Sequence, residues 1–183
     1  MSAPPPGSGL PWVWQASEQE VAAEYRCDRN ATRPGSRMVR AVSVAAPAST
    51  AWAWLGNLRV APYSYDLLDN LGRRSPRILR TDLPPLAVGD TVMTIFRAVE
   101  VAPGEELVLR TRGRAGSRLF GDVVVGYAVR PAAMGCRLVA VFHLAGGSTR
   151  ASRLRHAALA WGDLVMMRKQ LRTLAALAEG PDA

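Results

Sequence analysis

The stretch "APYSYDLLDN", positions 61–70, holds two tyrosines, two aspartates and an asparagine, and runs directly into the basic "LGRRSPR". Asp66 and Asp69 stand one helical turn apart, close enough to interact. A hydrophobic cavity around them would raise one carboxyl into the range of a general acid. Tyr63 and Tyr65 would donate hydrogen bonds to a ligand carbonyl, which serves enolisation and plain binding alike. The competing arrangement pairs both aspartates with Arg73, Arg74 or Arg77 and fastens a small helix to its loop. The direction of the Tyr63, Asp66, Asn70 stripe decides between a ligand gate and a clasp.

Other chemistry-bearing residues are scattered more thinly. His143 alternates with Phe142 along a strand, so an inward Phe142 turns His143 toward solvent or toward the N-terminal arm, and the opposite reading makes it a candidate base. His156 carries less. Arg168, at the edge of an apolar stripe, would hold a ligand carboxylate or extend outward with its stem on apolar surface. Asp163 and Gln170 lie at the same margins. Cys27 and Cys136 form no CxxC motif and have no metal-ligand spacing with either histidine, so both read as free thiols, with no metal and no cofactor expected. Neither a Ser-His-Asp arrangement nor a phosphate loop emerges from the spacing.

These residues need elements to position them. "RMVRAVSVA", residues 37–45, alternates Val39, Ala41 and Ser43 against Met38, Arg40, Val42 and Val44, the pattern of a strand. Pro47 opens a helix that places Ala48, Ala51, Trp52, Leu55 and Leu58 on one side. Pro62 and Gly72 bracket a second short helix held by Leu67, Leu68 and Leu71. Four strand-like runs follow, "DTVMTIFRAVEV", "ELVLRTR", "GDVVVGYAVR" and "CRLVAVFHLA", each closed by Gly or Pro signals, which reads as an antiparallel meander. The chain closes with a helix from about Ser152 to the Gly180-Pro181 stop. Its apolar stripe is Ala157, Ala160, Trp161, Leu164, Met167, Leu171, Leu174 and Ala178. Ahead of the first strand, residues 1–36 read as a partly disordered arm whose Trp12 and Trp14 lie on the main domain, with Ser17 and Glu20 placed for reciprocal capping.

The order implies an α+β domain over residues 37–180, in which a curved antiparallel sheet wraps one long C-terminal helix and two short helices follow the first strand. Such an arrangement commonly leaves an apolar cavity between sheet and helix. Met93, Phe96, Tyr127, Phe142, Trp161, Leu164 and Met167 would either line it or pack as plain core, with Tyr63, Asp66 and Asn70 at its mouth.

Composition bounds the alternatives. The chain has 183 residues, is 49% hydrophobic, and carries a formal charge of +8 supplied almost wholly by arginine, since Lys169 is its single lysine. Basic charge alone attracts nucleic acid, but no interleaved aromatic and basic pattern and no zinc-finger spacing accompanies it, so a nucleic-acid partner is not expected. The start lacks a basic region followed by a long apolar run, and no segment reaches the length of a spanning helix. A cytoplasmic protein without integral membrane association is the expectation.

The runs "VSVAAPASTAWAWLGNL", "APYSYDLLDNLGRRSPR", "LAVGDTVMTIF" and "WGDLVMMRKQLRTLAALAE" resemble the START-like, or SRPBCC, superfamily, in particular its polyketide cyclase/dehydrase-like branch, across about residues 37–179. The resemblance implies a helix-grip fold and a cavity for a hydrophobic ligand such as a polyketide, lipid or isoprenoid. It carries no universal catalytic motif. Three functions fit it: a binding module, a cyclase or dehydratase that moves protons with Asp66, Tyr63, Tyr65 or Arg168, and a regulatory module that meets a protein partner through its arginine-rich surface.

Overall fold

The computed structural model describes residues 9–31, 35–63, 75–113, 121–145 and 150–180, apart from the side chains of 150–153 and 155. Its frame is a seven-stranded, mostly antiparallel sheet that curves around one long helix. The strands are β1 (Val13–Trp14), β2 (Gly35–Val44), β3 (Thr91–Val92), β4 (Phe96–Ala102), β5 (Glu106–Thr111), β6 (Val123–Ala132) and β7 (Gly135–Ala145), in the order β1-β2-β7-β6-β5-β4-β3. Among the described residues the helices are α1 (Glu18–Ala22), α2 (Arg26–Asn30), α3 (Ala48–Gly56) and the 30-residue α4 (Arg150–Glu179), and a 3-10 turn (Asn57–Arg59) follows α3. This is the helix-grip arrangement that the START-like resemblance implies.

Alternation along the central strands sorts side chains onto two faces. Met38, Val42, Val44, Val123, Val125, Tyr127, Val129, Leu138, Ala140 and Leu144 point to the concave side and bury against α4. Their neighbours Val39, Ala41, Val108, Val124, Ala128, Val139 and Val141 form a second buried cluster on the convex side, together with Tyr25 and Cys27 of the arm. Both faces of these strands are therefore apolar, and the sheet needs covering twice.

The arm supplies the second cover. Ser17 and Glu20 cap α1 reciprocally: Glu20 N donates to Ser17 Oγ at 3.2 Å and Ser17 N donates to Glu20 Oε2 at 2.7 Å. β1 adds a parallel pair to the outer edge of β2, with Val13 opposite Val39 and Trp14 opposite Arg40. Ion pairs tie the arm down, Glu20 to Arg137 at 2.8 Å, Asp28 to Arg37 at 2.8 Å and Arg26 to Glu100 at 2.7 Å. Trp14 is buried and lies beneath two guanidinium groups of α4, those of Arg168 at 5.3 Å and Arg172 at 5.2 Å from its ring centre.

Two elements depart from expectation, and a third departs at its first two described residues. The run "DTVMTIFRAVEV" is a hairpin: Val92 pairs with Phe96, and Met93 and Thr94 turn with φ of 47° and 64°. Its apolar period reads as one strand, while Met93 N donates to Leu58 O at 3.0 Å and fixes the reversal from outside the run. On α3 the buried side is Ala51, Trp54 and Leu55, continued by Leu58 of the 3-10 turn, so Trp54 rather than Trp52 enters the core, and Trp52 is only partly buried. The second short helix lies outside the described residues from position 64 to 74, whereas Pro62 and Tyr63 are non-helical, Tyr63 with φ of 55°.

The close approach of arm and sheet is testable at Gly126. A Cβ there would stand 2.5 Å from Cys27 Sγ and 2.8 Å from Cys27 Cβ. Gly126→Ala should cost about 1–3 kcal/mol by overpacking. In limited proteolysis the arm should become the first segment cut, and Cys27→Gly should recover part of the loss. A Gly126→Ala protein with unchanged melting and cleavage would contradict this packing.

Candidate functional site

The interface between α4 and the concave face is apolar for most of its length. Ala160, Leu164, Met167, Leu171, Leu174 and Ala178 recur at helical spacing and are buried. Two polar couples interrupt it, both bridging helix and sheet.

The first is Tyr127 with Gln170. Tyr127 stands on the concave face of β6, in phase with Val125 and Val129, and donates its hydroxyl to Gln170 Oε1 at 2.6 Å. The amide nitrogen of Gln170 donates onward to Pro62 O at 2.5 Å and approaches Met93 Sδ at 3.2 Å. Gln170 is 3% exposed, so its amide is saturated by protein rather than water. Burial, reinforced by the nearby charge of Asp163 and opposed by the Gln170 bond, raises the Tyr127 phenol well above its usual value. Tyr127 is therefore a neutral donor throughout the physiological range.

The second couple is Arg40 with Asp163. Arg40 is in phase with Met38, Val42 and Val44, and strand geometry therefore turns its side chain inward with theirs. It is 0% exposed. Its Nη1 donates to Trp12 O at 2.9 Å, and its Nη2 lies 2.9 Å from Asp163 Oδ2. That last contact is a meeting of charges without hydrogen-bond alignment, and Arg40 Nε has no hydrogen-bond partner among the described residues. Burial lifts the Asp163 carboxyl from 3.8 to about 6, with Arg40 pulling the other way. Seven residues separate Asp163 from Gln170, two turns on one side of α4. Together the couples present a neutral phenol, an amide, a fixed cation and a carboxyl that exchanges its proton near neutrality. Such a set orients a carbonyl or hydroxyl in an apolar interior and can pass it a proton.

Of the residues singled out from sequence, Tyr63, Phe96, Tyr127, Leu164 and Met167 are buried in one apolar cluster, and Met93 and Phe142 pack against it partly buried. Tyr63 meets Trp54 edge to face, with ring centres 5.9 Å apart. Tyr65, Asp66, Asp69 and Asn70, with Arg73 and Arg74, lie outside the described residues. Trp161 is 51% exposed and leaves the expected lining. It sits about 60° around the helix from Leu164, enough to carry it off the buried arc. Arg168 stacks on Trp14 at the arm. Arg40 was the residue sequence reasoning passed over, although an arginine in phase with three apolar neighbours was its signal.

His143 takes the outward course allowed by an inward Phe142. Its Nε2 lies 2.7 Å from Asp28 Oδ1 on the arm. Cys27 and Asp28, neighbours in the chain, and the distant His143 offer ligand atoms within 4.8 Å of one another, so the fold assembles a metal-type grouping that spacing did not reveal. Asp28 already accepts from Arg37 Nε at 2.8 Å and Tyr25 N at 2.7 Å, while burial pushes the Cys27 thiol up to about 12. These partners fit an arm fastening. A separate open groove of 610 Å³, lined by Gln15, Val42, Ser43, Arg137, Arg172 and Glu179 among others, follows the seam of β2 with the end of α4. Arg137 and Arg172 there are engaged with Glu20 and Trp14, and the groove does not reach the Tyr127–Gln170 couple.

No family model matches the chain, and no curated protein matches it. Solved structures do resemble it in course. A protein from Chromobacterium violaceum is 19% identical, covers 81% of this chain and 100% of its own, and superposes with a TM-score of 0.47. The di-domain ARO/CYC StfQ of the steffimycin biosynthetic pathway is 15% identical over 78% of this chain and 50% of that one, with a TM-score of 0.47. The KanY protein is 14% identical over 80% and 99%, with a TM-score of 0.47. No functional assignment rests on likenesses this distant.

The Arg40–Asp163 couple has a signed dependence on pH. A carboxyl raised in the folded state stabilises the fold below its unfolded value of 3.8, and that contribution is lost as pH rises through about 6. Arg40→Met leaves the carboxylate buried without its cation, which should cost about 3–5 kcal/mol near neutral pH. Denaturant melts should show a smaller loss near pH 5, where Asp163 takes up a proton. Equal losses at both pH values would mean that Asp163 is not the charge left behind.

Proposed function

We propose that the protein binds a hydrophobic small molecule, of the size and flexibility of a polyketide, lipid or isoprenoid, between the concave face of the sheet and α4. The observation that carries this reading is the Tyr127–Gln170–Pro62 chain of hydrogen bonds, set within an interior that is apolar apart from it and the Arg40–Asp163 couple. Ligand sites of this class combine broad apolar walls with a few placed polar groups, and this interior has that composition. The described side chains pack the space closely, so entry of a ligand requires them to part. Pro62 is the natural place, because it leads into the Tyr63, Asp66 and Asn70 stripe that the sequence assigns to the mouth. A ligand oxygen competing for the Gln170 amide would release Pro62 and couple occupancy to that stretch.

A second reading, an enzyme that cyclises or dehydrates its ligand, is favoured by Asp163. Its carboxyl near 6 beside a buried guanidinium suits proton exchange. Asp66, Tyr63, Tyr65 and Arg168 remain proposed contributors, with Arg168 acting only if it leaves Trp14.

Native mass spectrometry of protein purified from its own host should reveal a retained apolar molecule. Gln170→Leu and Tyr127→Phe should each weaken its binding by up to about tenfold, the worth of one hydrogen bond. Retention of no apolar molecule, together with failure to bind fatty acids in solution, would overturn the binding reading. Turnover surviving in Asp163→Asn and in Asp66→Asn would remove both carboxyls from the enzyme reading.

A further inference from the structure

The long helix has a second face that the sheet does not use. Leu154, Ala158, Trp161 and Val165 recur at spacings of four, three and four residues, so they line up on one side of α4. Leu154 is 75% exposed, Trp161 51% and Val165 48%. The stripe runs about 16 Å along the helix. The same face then turns basic, with Arg168, Lys169 and Arg172 on the following turns; Arg168 and Arg172 stack on Trp14 of the arm there, a contact that leaves their charge unneutralised.

From the stripe and its charges we infer that this face of α4 docks on the surface of a bilayer containing anionic phospholipid. Charge selects that partner. The sequence of α4 contains Arg150, Arg153, Arg155, Arg168, Lys169 and Arg172 against Asp163 and Glu179 as its only acids. Both acids are occupied elsewhere, Asp163 at Arg40 and Glu179 by the backbone N–H of Ala45. A second copy of the chain would bring the same basic turns against its own and repel. A protein groove is a poor match as well. Three large apolar side chains on a narrow stripe fall short of the surface that a stable protein interface buries. Shallow insertion into lipid asks for less, because apolar side chains at the level of the headgroups add to the attraction between cations and anionic lipid. Trp161 is the side chain best suited to that level, since its ring carries both an apolar body and a polar N–H. No helix among the described residues is long and apolar enough to cross a membrane, so the contact is with the surface.

The test is flotation of the full chain with vesicles of phosphatidylcholine alone and of phosphatidylcholine with an equal share of phosphatidylglycerol. The protein should float with the anionic vesicles, remain largely free with the neutral ones, and detach at high salt. The double variant Leu154→Ser/Trp161→Ser should lower partitioning about tenfold while keeping its melting temperature, because both side chains are already exposed. Lys169→Glu should weaken binding and flatten its salt dependence. A control pair, Ile78→Ser/Met134→Ser, removes apolar side chains that are 80% and 87% exposed elsewhere and should float like the parent. The inference is overturned by absence of flotation, by equal binding to neutral vesicles, or by equal flotation of the Leu154→Ser/Trp161→Ser protein. An equal loss in the control pair also overturns it, as does a dimer in sedimentation that Trp161→Ser dissolves.

Discussion

One buried guanidinium joins every layer of this molecule. Arg40 belongs to β2, touches the carbonyl of Trp12 in the arm, and meets Asp163 of α4. A cation withdrawn from water is tolerated only where the protein supplies fixed negative and polar partners, and here those partners come from two parts of the chain remote from β2. The position of the helix along the strand, and of the arm along the strand's edge, are therefore set together. Apolar packing would allow sliding, whereas a hydrogen bond of 2.9 Å to the arm and a charge contact of 2.9 Å to the helix resist it.

The two faces of the sheet divide the labour. The concave face holds the helix and the Tyr127–Gln170 couple, while the convex face holds the arm through Cys27, Tyr25 and a set of ion pairs. Asp28 shows how closely the second set is balanced. Burial pushes its carboxyl up, yet Arg37, the N–H of Tyr25 and His143 together bring it below its usual value. The arm is consequently fastened by charges at its rim and by close packing at its centre, where a thiol sits against a glycine.

Much of this architecture was legible because period-2 and period-3.6 patterns survive in the local sequence. The third run, with Val123, Val125, Tyr127 and Val129 on one face, and the stop at Gly180 both correspond to observed structure. The hairpin at Met93 was hidden because its turn uses no Gly or Pro, and a distant carbonyl holds it. Trp161 was misplaced because an apolar residue one step off the buried arc looks like a member of it in sequence. The polar couples were half visible: Asp163 and Gln170 stood at the stripe's margins, but their partners on β2 and β6 are far away along the chain. Pairing of that kind depends on register, which no single stretch encodes.

The width of the sheet also ends in a particular way. At each side the last strand is only two residues long, β1 at one edge and β3 at the other. A chain seeking to extend the sheet meets a stub followed at once by a departing backbone. For a protein with apolar side chains on both faces of its strands, brevity at the rims is a safeguard against edge-on association into fibres or amorphous aggregates.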